Sequence, residues 1–250
     1  MLVEERRDEI TQVIQSKGFI SLGELSCAIN VSESTIRRDL EYLEGIGQVR
    51  RTRGGASYVG DALTGFDVRR NLASTEKQKI GRATAEFIGR QETIILDGGT
   101  TTLEVAKHLA GKGLQVVTNS LPIANHLVGV ADVELIYLGG YVYPKTGVAL
   151  GELTIEALKR VHARRLIMSV GGITERGLFN TNSLLAETER QMIESVDEVI
   201  VVADHTKFGH SELAHLGPLD IVHKMVVDEN TPEEWLTRLK KLNIECIVAK

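Results

Sequence analysis

Hydrophobic positions recur along this chain with two different periods, and the change from one to the other divides it. Over residues 3–17, Val3, Ile10, Val13 and Ile14 fall on one side of a helix, which Lys17-Gly18 ends. Ser21-Leu-Gly-Glu24 has the spacing of a capping box and predicts a second helix reaching Ile29. Asn30-Val31 makes the turn, with Val31 burying its side chain between the two helices. Residues 32–45 predict a third helix capped by Ser32, with Ile36, Leu40 and Leu43 inward and Ser34, Thr35, Arg37 and Arg38 outward. Gly45 and Gly47 stop it, and Gln48-Val-Arg-Arg-Thr-Arg-Gly-Gly55 suits a short hairpin. That order predicts a winged helix-turn-helix over residues 1–57.

Residues 58–74 show no clear amphipathic pattern and read as a linker. A helix is expected from Thr75 to about Gly89, and after it short apolar runs alternate with helical segments. Strands are expected at 93–96, 116–118, 133–138, 166–170, 199–203, 224–227 and 244–248. Helices are expected at 103–109, 121–127, 152–161, 187–195 and 232–241. The strands are continuous and rich in Val and Ile, as in a mostly parallel sheet covered on both faces. The expected fold class is therefore α/β: the winged helix-turn-helix followed by an open, mostly parallel α/β domain over residues 75–250. Ligands of such a domain sit beyond the carboxyl ends of its strands.

Composition changes this picture little. With 42% hydrophobic and 25% charged residues the chain is ordinary globular protein, and its net charge of −5 gives no global basic character. The first sixty residues hold eight Arg and Lys against nine Asp and Glu, so distribution matters more than total. Three of the four residues from Arg50 to Arg53 are arginine, and Arg37 and Arg38 stand just before them, a local stripe able to neutralise several phosphates. A helical interaction module with a merely solvated arginine face would not combine helix-turn-helix spacing, hydroxyls at the helix start and a second arginine cluster. Ser34, Thr35 and Arg37 are expected at base edges, and Arg38, Arg50, Arg51 and Arg53 at phosphates or the minor groove. Asp39 is expected to orient an arginine.

Cys27 and Cys246 match no metal-ligand spacing, nor do His205, His210 and His215, which read as polar loop and surface residues. No metal or cofactor is expected. Trp235 and Tyr137 read as core. The charged start at Glu4, Glu5, Arg6 and Arg7 and the lack of an apolar run of about 18 residues predict a cytoplasmic protein without membrane contact.

Candidate chemistry collects at the expected strand ends. In Leu96-Asp-Gly-Gly-Thr-Thr-Thr102, glycines let backbone N–H groups converge on an anion and threonines add donors. The loop lacks the lysine of a P-loop and the spacing of a dinucleotide fingerprint. Thr118-Asn-Ser120, Leu138-Gly-Gly140 and Ala203-Asp-His-Thr-Lys-Phe-Gly209 lie at three further strand ends. Their convergence points to a phosphorylated small molecule.

Ser34-Thr-Ile-Arg-Arg-Asp-Leu40, Glu44-Gly-Ile-Gly47 and Arg53-Gly-Gly-Ala56 together resemble the DNA-binding signature of the DeoR family of bacterial repressors of sugar and nucleoside catabolism. Asp97-Gly-Gly-Thr-Thr101, Thr118-Asn-Ser120, Gly139-Gly140, Ala203-Asp204 and Lys207-Phe-Gly209 resemble the sensor domain of that family, similar in fold to ribose-5-phosphate isomerase. The resemblance implies that Gly98, Gly99, Thr100 and Thr101 hold phosphate. Asp97 and Asn119 would face sugar hydroxyls, Lys207 would neutralise the anion, and Lys77 would reach the pocket. Thr118, Gly139, Gly140 and Glu187 complete the expected site.

In related isomerases an aspartate-rich loop after a central strand serves catalysis, whereas here Ser169-Val-Gly-Gly-Ile173 has no carboxylate. Many family members keep an aspartate there too, and Leu185 and Glu189 stand where the pattern has Glu and Lys. The expected function is a transcriptional regulator of a sugar operon, a repressor by the family's habit, acting on double-stranded operator DNA and answering a phosphorylated sugar. It would work as a homo-oligomer, dimer or tetramer, because one unit makes too few phosphate contacts. The alternative is a sugar-phosphate isomerase carrying a helix-turn-helix, with Glu187, Asp97 or Asp204 as base.

Overall fold

Capping and turn chemistry set the first unit. The computed structural model describes residues 3–17, 19–45, 48–52, 54–58 and 65–250, and the chain divides into two compact units, residues 1–72 and 73–250. Helix α1 (Val3–Lys17) leads through strand β1 (Phe19–Ser21) into α2 (Leu22–Ile29). The Ser21 hydroxyl accepts the Glu24 N–H while Glu24 accepts the Ser21 N–H, so both halves of the capping box form. Asn30 ends α2 in the left-handed conformation, and Val31 packs partly buried against the helical core. Ser32 caps α3 (Glu33–Gly45), its Oγ accepting the Thr35 N–H at 3.3 Å.

Strands β2 (Val49–Thr52) and β3 (Gly55–Tyr58) form the expected hairpin, and β1, which the periodicity does not announce, adds to its other side in the antiparallel order β1-β3-β2. Ile10, Ile14, Ile20, Leu25, Ile36, Leu40, Leu43 and Val49 build one core. Each such side chain contributes about 1.5–3 kcal/mol by burial. Val3, expected on this stripe, is exposed at the start of α1. Within the expected linker lies a short helix, α4 (Phe66–Asn71), with no side-chain cap.

The second unit is a seven-stranded, wholly parallel sheet. After α5 (Ser74–Phe87) the chain alternates β4 (Thr93–Leu96), α6 (Thr100–Ala106), β5 (Leu114–Thr118), α7 (Leu121–Leu127) and β6 (Val133–Tyr137). A hairpin, β7 (Tyr141–Tyr143) and β8 (Val148–Leu150), precedes α8 (Glu152–Leu158) and β9 (Ala163–Met168). Next come β10 (Gly172–Thr174), β11 (Gly177–Asn180), α9 (Ser183–Glu194), β12 (Val196–Ala203) and β13 (Ala214–Gly217). The chain closes with β14 (Lys224–Asp228), α10 (Glu233–Lys241) and β15 (Glu245–Ala249).

The order across the sheet is β15-β14-β12-β9-β4-β5-β6. The chain enters at β4, steps outward to β5 and β6, then returns to β9 on the other side of β4. That reversal is a topological switch point, where open α/β sheets bind ligands. Ile95, Val117, Leu166, Met168, Val199 and Val201 pack on one face with Ala186 and Met192 of α9. Trp235 is buried there as expected, but Tyr137 is not: it lies 37% exposed at the end of edge strand β6. The antiparallel pairs β7–β8 and β10–β11–β13 were not expected.

Candidate functional site

In the first unit, α3 and the hairpin carry the hydroxyls and arginines singled out from the sequence. Ser34, Arg37 and Arg38 are exposed on α3, Thr35 is half-buried, and Arg50 and Arg51 are exposed on β2. Arg53 lies outside the described residues. Burial of Ile36, Leu40 and Leu43 fixes which face of α3 remains outward. The Ser32 Oγ sits 2.9 Å from the Ser34 Oγ and 3.0 Å from the Thr35 Oγ1, which gathers three hydroxyls at the helix start.

Asp39 is an orienting residue, and its partners come from α1. It is almost wholly buried and accepts from Arg6 Nε at 2.6 Å and Arg7 Nε at 3.0 Å. Burial alone raises its pKa, but the hydrogen bonds and charges of the two arginines outweigh that and hold the carboxyl below its ordinary value. Arg7 also lies 3.7 Å over the Tyr42 ring. Arg51 differs from expectation in having an intramolecular partner: Glu44 accepts both its Nε–H at 2.6 Å and its backbone N–H at 2.9 Å, tying the hairpin to α3.

In the second unit the loops after β4, β5, β6, β9 and β12 meet at one end of the sheet. Asp97 extends the β4 ladder, its N–H donating to Ile167 O at 3.0 Å and its Oδ2 accepting the Ser169 N–H at 3.4 Å. A Cβ on Gly98 would strike Val148 Cγ1, and one on Gly99 would strike Ser169 Oγ. The loops after β4 and β9 and the β7–β8 hairpin therefore close on one another only because these two positions lack side chains. Thr102 Oγ1 accepts the Gly99 N–H at 2.7 Å and fixes the turn into α6. Thr100 and Thr101 are buried beside it in the first turn of α6.

Several other expected residues are held by the scaffold. The Thr118 hydroxyl is spent on the scaffold, donating to Leu96 O at 2.7 Å and accepting the Ser120 N–H. Asn119 is fully buried; its Nδ2 donates to Ala149 O at 2.8 Å, while its Oδ1 has no partner among the described residues. Gly139 and Gly140 follow β6, where the Gly139 carbonyl accepts from Thr154 of α8. Lys77 is buried in the first turns of α5. Lys207 is half-buried in a 3-10 turn after β12 (His205–Lys207), capped by Asp204.

Glu187 does not join this group. It is exposed on α9, and the carboxylate that points inward is Glu189. The signal was present: Leu185, Thr188, Glu189 and Met192 are the buried stripe of α9, at helical spacings of three and four. Both Glu189 oxygens accept from Asn180 Nδ2, at 2.6 and 2.8 Å. Burial raises its carboxyl well above the ordinary range, and the charge of Asp97 raises it further; Asn180 and Arg190 only partly offset this. A second pair, His205 with Asp228, lies at the ends of β12 and β14, with Nδ1 3.0 Å from Asp228 Oδ1. This hydrogen bond raises the His205 pKa against the opposing effect of burial.

Among the described residues no group of His, Cys, Asp and Glu side chains could hold a metal, and no helix is long and apolar enough to cross a membrane. A helix-turn-helix with an exposed arginine-bearing third helix and hairpin, followed by a parallel α/β unit whose loops close on Gly98 and Gly99 at its switch point, is the arrangement of a DNA-binding regulator with a second, sensor domain. The DeoR-like helix-turn-helix domain matches residues 6–61 and the DeoR C terminal sensor domain matches residues 72–229, and the chain belongs to the DeoR family of transcriptional regulators. It is 32% identical to a putative aga operon transcriptional repressor of Escherichia coli O157:H7, over 98% of this chain and 93% of that protein. It is 30% identical to the HTH-type transcriptional repressor GlcR of Bacillus subtilis (strain 168), over 100% and 98% of the two chains. The glycerol-3-phosphate regulon repressor of Escherichia coli (strain K12) is 31% identical over 91% and 92%. Among solved structures, ribose 5 phosphate isomerase A from Neisseria gonorrhoeae is similar with a TM-score of 0.41 and 16% identity, over 55% of this chain and 54% of that chain.

Proposed function

We propose that this regulator represses a carbohydrate catabolic operon and that a phosphorylated sugar bound at the carboxyl end of the parallel sheet controls it. The observation that carries the reading is the close approach of the loops around Gly98 and Gly99 at the switch point, with the buried Thr100 and Thr101 opening α6 beside them. Hydroxyls and backbone N–H groups of this kind suit a phosphate, and the half-buried Lys207 supplies a positive charge at the same end of the sheet. Asp97 and Asn119 offer acceptors to the sugar. The protein acts in the cytoplasm as a dimer or tetramer, with α3 of each protomer in a major groove and operator half-sites separated by whole helical turns.

Fluorescence anisotropy on labelled DNA from upstream of the protein's own gene, at fixed salt and with a panel of phosphosugars, tests this. One phosphosugar should shift the affinity while its unphosphorylated form does not. The double variant Thr101→Val, Lys207→Ala should keep DNA binding and lose the response; an unchanged response would place the pocket elsewhere.

One observation favours a second reading. Two buried carboxylates in one pocket, one of them with a raised pKa, are what a proton-transferring enzyme uses. Isomerase turnover of a pentose or hexose phosphate, lost in Glu189→Gln, would establish that activity. The loop from Ser169 to Ile173, which offers no carboxylate after β9, favours the regulator.

A further inference from the structure

Two buried carboxylates end neighbouring strands beside the turn that carries Lys207. The register of β12 on β14 pairs Ala203 with Val227, so Asp204 and Asp228 follow side by side at the carboxyl end of the sheet. Each holds the same turn from a different side. Asp204 caps it, its Oδ1 accepting the Thr206 N–H at 3.1 Å and also the Thr206 hydroxyl. Asp228 reaches across from β14, where its Oδ2 accepts the His205 backbone N–H at 2.6 Å. Its Oδ1 lies 3.0 Å from the His205 Nδ1 and accepts the Asn230 N–H at 2.9 Å. His205 is thus fixed at both main chain and ring. The exit of the turn is anchored as well, because the Gly209 N–H donates to Ile173 O at 2.8 Å and Phe208 packs on Trp235. Lys207 stands between these two anchors.

The charges facing the His205 ring are mainly negative: Asp204 from its own turn, Asp228 from β14 and Glu76 from α5. Lys207 follows two residues on, and Lys79 of α5 is paired with Glu229 at 2.6 Å. The hydrogen bond to Asp228 and the three carboxylates raise the imidazole pKa, against the opposing effect of burial. Below that raised value the ring is an imidazolium. As pH climbs through it the charge is lost, while a neutral ring with its proton on Nδ1 still donates to Asp228. Charge and clamp are therefore separable. An anion arriving beside two buried carboxylates gains from the charge, and Lys207 gains its place from the clamp.

We propose that His205 is a positioning residue of the effector site: with Asp228 it sets the turn that presents Lys207 to the phosphate, and as an imidazolium it strengthens the hold on that anion. The proposal rests on the phosphosugar reading above and adds to it a pH dependence and a named support for Lys207.

Isothermal titration calorimetry of the full chain tests this with inorganic phosphate, glucose 6-phosphate and ribose 5-phosphate, from about pH 6 to about pH 9. Wild type is compared with His205→Asn and His205→Leu. Asparagine keeps a donor for Asp228 but no charge, and leucine keeps bulk but no donor. The phosphate titrates too, so each variant is referred to wild type at the same pH. His205→Asn should bind a probe about fivefold more weakly than wild type at the acid end and equally at the alkaline end. His205→Leu should stay about fivefold or more weaker even at the alkaline end. In a Lys207→Ala background that alkaline loss should shrink to less than about twofold, since the two residues act through one another. A ratio for His205→Asn that does not change with pH overturns the role of the charge, and a His205→Leu loss that Lys207→Ala leaves intact overturns the positioning of Lys207. Either result leaves the phosphate pocket standing. Should the variants not fold, the imidazole resonances of wild type decide: one histidine should titrate at higher pH with a probe bound, and none doing so overturns the proposal. Failure of all three probes at every pH, in a chain that still binds DNA, overturns the phosphosugar reading itself.

Discussion

Arg37 and Asp39 stand two residues apart on α3 and have opposite fates, because a helix turns one outward and the other toward α1. Arg37 pairs with Glu33 at 3.4 Å on the exposed face, and such a surface pair is weak, so it yields readily to a base edge. Arg37→Ala should remove discrimination of about 1–3 kcal/mol at one operator base pair while leaving non-specific affinity nearly intact, as competition anisotropy would reveal. Retained preference would move the reading function to Ser34 or Thr35. Asp39 acts on stability. Its folded pKa lies below the unfolded value of about 3.9, so its contribution is complete above that value and is lost as pH falls through the folded pKa. Asp39→Asn should destabilise the first unit by about 1–3 kcal/mol at pH 7, less than for a fully buried pair because Arg6 and Arg7 can still reach water. Urea midpoints measured from pH 3 to 7 should converge for variant and wild type at the acid end. A constant gap would show that the pairing is not what stabilises the unit.

At the level of elements, the wing is held to α3 by Glu44, and this sets the sign of two substitutions. Arg51→Ala should weaken every duplex alike and flatten the salt dependence by about one counterion. Glu44→Gln does two things: it loosens an exposed, solvent-screened pair, and it removes a negative charge beside the expected phosphates while releasing Arg51 to meet them. The second effect should win, tightening all duplexes and steepening the slope, as titrations between 50 and 200 mM salt would measure. Weaker binding at all salts would mean that Glu44 matters chiefly as the anchor of the wing. These elements were legible because each carries a local signal: the capping box at Ser21, the hydroxyl at Ser32, the arginine-rich hairpin. The parallel strands were legible for a different reason, since burial on both faces leaves only Val and Ile runs. What escaped were short pieces whose existence depends on a neighbour. Strand β1 has three residues and forms by pairing with β3, and β7 carries the exposed Tyr141 and no periodic pattern. Helix α4 has neither a cap nor the length to announce itself. The loop residues at the strand ends were readable from glycines and threonines; Glu189 had a signal in its helical spacing with Leu185 and Met192, but a carboxylate on an otherwise apolar stripe masks it.

For the molecule as a whole, each unit has its own apolar core, one around Ile36 and Leu40 and the other around Leu166 and Val201. Regulation therefore has to appear as a coupling free energy between two separately folded parts, and such coupling is reciprocal. If the effector changes operator affinity by some factor, operator DNA must change effector affinity by the same factor, for typical couplings about 5–150-fold. This holds whether the effector releases the DNA or strengthens the grip. Effector affinity should be measured calorimetrically with and without saturating operator duplex, and operator affinity by anisotropy with and without saturating effector, in one buffer. The salt must match too, because phosphate contacts make the DNA arm alone steeply salt-dependent. Equal factors would establish that one pocket and one DNA face account for the response. Unequal factors would require either a second effector site or a change of oligomeric state between the two experiments, and repeating both at two protein concentrations separates these, since only assembly depends on concentration.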